Sequence, residues 1–291
     1  MNKLIILLFV IINILLFIGC NQNNRTSANL LFHFREYLDK LQKKDLASIS
    51  QASNEFKKNF SAATQTTKDS AFIKFRSFYY DVINSYYEIF WNNQDLINKL
   101  NDHKNDDPQI QKLKITLNNN GLRLSKTEGG YYIDEKPDYL YNNFKNFVSK
   151  AISEFLLIRS KELEEGFSED SKLLISFKSL GDRITKWEKY LNNYSASPLS
   201  AEAKFSYHLY LNTFITGLDN SPVTANDTFL HEMKNVYSDY IRKNDSLESG
   251  KIVGKFYTII SRNNFHLTSE LDDFYTENQI ESMKGMEPPT R

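Results

Sequence analysis

At 291 residues, 41% hydrophobic and 25% charged, the chain is long enough for one large or two small packed domains, and its composition speaks against a disordered or membrane-spanning polymer. Lys plus Arg and Asp plus Glu both total 36, and no Lys/Arg run gathers on one face, which argues against nucleic acid as a partner. The unusual figure is aromatic: 21 Phe, 17 Tyr and 2 Trp are enough for a few helices to make a strong core.

Met1-Asn2-Lys3 is followed by an almost wholly apolar stretch, residues 4–18, and then by Gly19-Cys20. A charged start, an apolar middle and a small residue in that order are the parts of a secretory signal. A helix needs about 20 apolar residues to cross a bilayer core. This run is only fifteen residues long and contains Asn13, so a cleaved leader fits better than a permanent span.

Phe17-Ile18-Gly19-Cys20 resembles the lipobox of bacterial lipoproteins, although Phe17 stands where that family usually has Leu. The resemblance implies that residues 1–19 are a signal peptide and that Cys20 is lipidated, becomes the new N-terminus and attaches the protein to a membrane. Cys20 is also the chain's only cysteine, which leaves no intramolecular disulfide in an oxidising compartment. Residues 20–29 read as the lipidated cysteine and a flexible polar tether. By resemblance to sorting in bacteria with two membranes, Asn21 after the cysteine implies the outer membrane. No acidic run follows, which favours a face toward the periplasm. In a single-membrane organism the same lipid would place the domain on the outer surface.

From residue 30 onward apolar residues recur at three and four, which predicts an all-α fold. A multi-helix bundle and a helical-hairpin array both fit, with one small β-hairpin near 121–134. The first helix covers about 30–42, with Leu31, Phe34, Leu38 and Leu41 on one side, and the second follows Asp45 as N-cap. Over about 69–92, Phe72, Phe75, Tyr79, Val82, Tyr86, Tyr87, Phe90 and Trp91 help fill more than half the circumference. That breadth predicts a central helix with neighbours on two sides. Arg76 lies inside its apolar sector, where a charge must balance a buried acid or meet an anionic ligand.

Asp107-Pro108 starts a short helix through Leu117. Leu122-Arg123-Leu124 and Tyr131-Tyr132-Ile133 flank Glu128-Gly129-Gly130, a hairpin that should lie on helices because two strands alone are marginal. After Pro137 and Asp138 a single long helix is expected to about 165, ending at Gly166. The next, about 168–194, spaces Leu173, Phe177, Leu180, Ile184, Trp187, Leu191 and Tyr194 by four and three, which predicts an antiparallel neighbour at a shallow angle.

A turn at Pro198 leads into a helix with Ala203, Tyr207, Tyr210 and Phe214, ending at Gly217. Trp187, Pro198 and Ala203 resemble one junction of a tetratricopeptide-type helical hairpin over about thirty residues, with no second copy at a fixed period. Three further helices are expected at about 227–243, 247–261 and 269–282, before a tail at 286–291. The hairpin separates an N-terminal helical subdomain, 30–118, from a C-terminal one, 119–285; two subdomains and one continuous bundle both fit.

The residues assemble no reaction centre. His33, His103, His208, His231 and His266 are isolated, and His231-Glu232 is followed by Asn235 where a zinc-protease helix has its second histidine. No serine has a hydrolase's glycine-flanked turn, and the only paired glycines, Gly129-Gly130, sit in the hairpin. Glu162, Glu164 and Glu165 read as a solvated helix face beside Lys161; a glycan-cleaving enzyme would need two carboxylates across a cleft. Asp69-Ser70-Ala71 and Asp245-Ser246-Leu247 resemble a short O-glycosylation signal of some envelope bacteria.

The expectation is therefore a non-catalytic binding module of the cell envelope with a protein or polymer partner, and with no cofactor or metal. A periplasmic carboxylate-dependent glycan hydrolase and an accessory nutrient-capture lipoprotein are the alternatives.

Overall fold

The computed structural model describes residues 26–102 and 106–281, so the signal-peptide segment, Cys20, most of the tether, His103 and the tail lie outside the described residues. The fold is mostly helical, with small two-stranded antiparallel sheets. The chain divides into two compact units, residues 1–149 and 150–291. No helix among the described residues is long and apolar enough to cross a membrane.

The first unit holds α1 (26–40), α2 (Ala47–Phe60), α3 (Gln65–Asn92), α4 (Gln94–Asn101), α5 (Pro108–Asn119), β1 (Leu122–Thr127), β2 (Gly130–Glu135) and α6 (Tyr139–Phe144). The N-cap position of α2 is Leu46 rather than Asp45, which lies one residue earlier and accepts from the Ala47 N–H at 2.9 Å, whereas Asp107 caps α5 by accepting from Gln109 at 2.8 Å ahead of Pro108. α3 starts at Gln65 rather than near Asp69, because the Thr64 side chain accepts from the Thr67 N–H and takes the cap position.

The core gathers on Phe144, whose ring centroid lies 4.6 Å from Phe75 and 5.1 Å from both Phe56 and Phe72. As its broad apolar surface predicts, α3 packs on two sides, against α2 and against β2. Its far turns differ from the expectation: Tyr87 and Trp91 are exposed. α3 has 28 residues and α2 has 14, so α2 cannot cover its whole length.

The β1–β2 hairpin lies on α5 and α3, as two strands needing support should. Gly121 permits the approach: its φ is +76° and a Cβ there would fall 2.3 Å from the Tyr139 ring. Its carbonyl accepts from the buried Tyr79 hydroxyl at 2.7 Å.

The single helix expected over 138–165 is instead α6 and α7 (Lys150–Glu165), separated by residues 145–149. Backbone groups that a continuous helix would use internally are bonded to the first turns of α3. Ser149 N–H donates to the Asp69 carboxylate at 2.8 Å, and the Phe147 carbonyl accepts from the Gln65 side chain at 3.0 Å.

The second unit continues from α7 through β3 (Ser168–Glu169), β4 (Lys172–Leu173), α8 (Phe177–Asn193) and α9 (Ser200–Thr216). It then runs through β5 (Gly217–Leu218), β6 (Ser221–Pro222), β7 (Thr224–Ala225), β8 (Thr228–Phe229), α10 (His231–Lys243), α11 (Glu248–Arg262) and α12 (Glu270–Asn278). Two expected helices begin later than their sequence pattern. Asp170 and Ser171 at positive φ turn β3 into β4, so Leu173 is a strand residue and Ser176 caps α8 by accepting from the Ser179 N–H. Asn226 and Asp227, also at positive φ, turn β7 into β8, so Asp227 is a turn residue and α10 starts at His231. The core here is again aromatic, with Phe214 stacked 4.8 Å from Tyr237, and Phe229 and Phe256 alongside.

Candidate functional site

The carboxylates of α7 meet α8 in a regular order. Arg183 donates from Nη2 to Glu165 at 2.8 Å, Trp187 Nε1 to Glu162 at 2.7 Å and the Tyr194 hydroxyl to Glu154 at 2.9 Å. Rising residue numbers on one helix meet falling numbers on the other, so α7 and α8 are antiparallel. α9 packs on α8 as well, through a hairpin whose turn is fixed by Tyr190 donating to Ser197 at 2.8 Å. The spacing of Leu180, Ile184 and Trp187 thus serves two neighbours.

Along this seam runs an open groove of about 460 Å³. Its α7 wall repeats at three and four: Lys150, Glu154, Leu157 and Ile158, Lys161 and Glu162, then Glu165; its α8 wall is Arg183, Lys186 and Lys189. Leu157 and Ile158 form an apolar middle between charged residues on either side. Lys150, Lys161, Lys186 and Lys189 are exposed at its rim, and none has a hydrogen-bond or ion-pair partner among the described residues. Five cations therefore face three carboxylates, and each carboxylate is already held by a donor of α8 or α9, or by Tyr194 just past the end of α8.

Arg183 anchors one end. It is 1% exposed, donates to the Gly166 carbonyl at 2.6 Å as well as to Glu165, and lies 5.5 Å over the Tyr210 ring, while its Nε has no hydrogen-bond partner. Gly166 presents that carbonyl from the left-handed conformation, φ +73°, that ends α7. Glu162 accepts from Trp187 and, at 3.1 Å, from the Tyr210 hydroxyl. Burial pushes the Glu162 carboxyl up to about 7, against the Arg183 charge and the two donors, which pull it down. Glu162 is thus drawn into the seam rather than lying on the solvated face its sequence cluster implied, whereas Glu164 and Glu165 stay exposed. Burial and Glu162 together raise the Tyr210 phenol well above its ordinary value.

Arg76 belongs to the other unit. It is 6% exposed, lies 5.1 Å over the Tyr80 ring and donates to the Tyr80 hydroxyl at 3.4 Å; that hydroxyl donates to Glu135 of β2 at 3.1 Å. The sequence singled out Arg76 but not Arg183, although Arg183 shows the same signal, a cation between Leu180, Ile184 and Trp187 on an apolar helix face. Lys186 and Lys189 carried no signal, because only the register of α8 against α7 brings them to the rim. Among the described residues no three His, Cys, Asp or Glu form a group able to hold a metal ion.

Fold and groove together define an all-α protein with an open, cation-rimmed groove between antiparallel helices. No family model matches the chain, and the comparisons with curated proteins and with solved structures return no match either.

Proposed function

We propose that the chain is an exported envelope lipoprotein, tethered through a lipid on Cys20 and facing the periplasm of a two-membrane cell, whose helical body works by binding rather than by catalysis. The observation that carries the binding reading is the α7–α8 groove, where four lysines without partners ring an apolar floor. An ammonium left unpaired beside apolar surface is suited to a ligand that brings its own negative charge. Tethering adds to this by raising the local concentration of weak partners at the membrane.

Photocrosslinking in native envelopes tests the reading. A photoreactive residue replacing Leu157 should give adducts that one replacing exposed Lys251 on α11 does not. Equal adduct patterns from the two positions would contradict it.

A glycan-cleaving reading has one observation in its favour, the rise of Glu162 to about 7 in a groove, since a raised carboxyl is the usual general acid. Glu162 and Glu165, however, stand one turn apart on a single helix, whereas a glycosidase brackets the bond from two sides. Release of reducing ends from cell-wall glycan by the wild type, abolished in Glu162→Gln, would favour the enzyme.

A further inference from the structure

Resting on that binding reading, we propose that the α7–α8 groove seats an acidic amphipathic segment of a partner protein, its apolar side on Leu157 and Ile158 and its carboxylates against Lys150, Lys161, Lys186 and Lys189. Three features of the groove select that occupant.

The groove is partly open and its rim lysines are exposed, so whatever lies in it keeps one side toward water. An amphipathic segment meets that condition and a bare acyl chain does not. The lysines are also spread out. Lys150 and Lys161 are eleven residues apart on α7, about 16 Å at 1.5 Å per residue, with Lys186 and Lys189 opposite on α8. Charge distributed over three helical turns matches carboxylates repeated along a peptide, whereas a lipid headgroup concentrates its charge at one end. Finally, the groove's own acids are withdrawn from competition. Glu154, Glu162 and Glu165 are held by Tyr194, by Trp187 and Tyr210, and by Arg183, which leaves the lysine ammoniums free to meet an incoming carboxylate.

Fluorescence anisotropy on the full chain purified in detergent tests the assignment. The probes are labelled helical peptides of about 14 residues sharing one leucine stripe at three-and-four spacing, flanked by Glu, by Gln or by Lys. The Glu-flanked probe should bind about tenfold or more tighter than the Gln-flanked one, and its affinity should fall as salt is added. The variant K161E/K186E/K189E should weaken it by about tenfold or more, while K251E on α11 leaves it unchanged.

Should the triple variant fail to fold by circular dichroism, K186E alone and the salt titration of the wild type carry the same decision. Equal binding of the Glu and Lys probes would overturn the assignment, as would no binding of the Glu probe up to about 1 mM. Lysine-dependent binding of phosphatidylglycerol vesicles, with the peptide unbound, would replace the peptide with a lipid. In that last case Leu157 still crosslinks in the envelope, so the binding reading survives while the peptide assignment fails.

Discussion

Glu162 carries the clearest residue-scale consequence. Its carboxyl begins to take a proton near pH 7 in the native protein but only near 4.5 in the unfolded chain. Between those values the native state holds more protons, so the free energy of unfolding falls as pH rises through the window and levels off above it. The shift corresponds to roughly 3 kcal/mol. Urea unfolding at about pH 5.5 and pH 8 should show this slope in the wild type and its loss in Glu162→Gln; an unchanged slope would mean that Glu162 is not the group responsible. Arg76 makes a second test. Replacing it by Met removes the donor to the Tyr80 hydroxyl in the buried Arg76–Tyr80–Glu135 chain, and should cost about 1–3 kcal/mol. Arg76→Met with Glu135→Met should recover most of that loss. Additive losses in the double variant would show that the two are not coupled.

At the scale of elements, the Asp69 carboxylate holds the backbone just ahead of α7. By accepting from Ser149 it fixes the break between α6 and α7 to the start of α3. Asp69→Ala should therefore lower stability by about 2 kcal/mol in urea titration; a change within error would place the cause of the break elsewhere. That break could not be read from the chain, because the partner of Ser149 lies 80 residues away. The helices themselves were legible wherever the three-and-four pattern ran beside a strong cap, as at Asp107-Pro108. Among hairpins, only the one around Gly129 was legible, since its six-residue strands are long enough to carry a pattern. The other three have two-residue strands, too short for alternation, and their Asp, Asn and Ser turn residues look like helix caps in sequence. For the same reason the groove was half visible. Its α7 stripe follows from helical spacing alone, but the α8 rim depends on the register with which Arg183, Trp187 and Tyr194 meet Glu165, Glu162 and Glu154.

In the whole molecule, a helical body with a cation-rimmed groove follows the short apolar run at residues 4–18 and the chain's single cysteine. The apolar run at residues 4–18 has fifteen positions, one of them Asn13, and falls short of a bilayer span of about 20, so the proposed attachment is through Cys20 instead. Lipid attachment at that position would leave every described helix, none of them apolar enough to cross a membrane, free to work beside it. Mass spectrometry of the N-terminal peptide from protein purified out of its native cells is the most direct test. The expected species begins at Cys20 and carries acyl groups on it; a species that still begins at Met1, with a bare thiol at Cys20, would contradict the anchor and the export it implies.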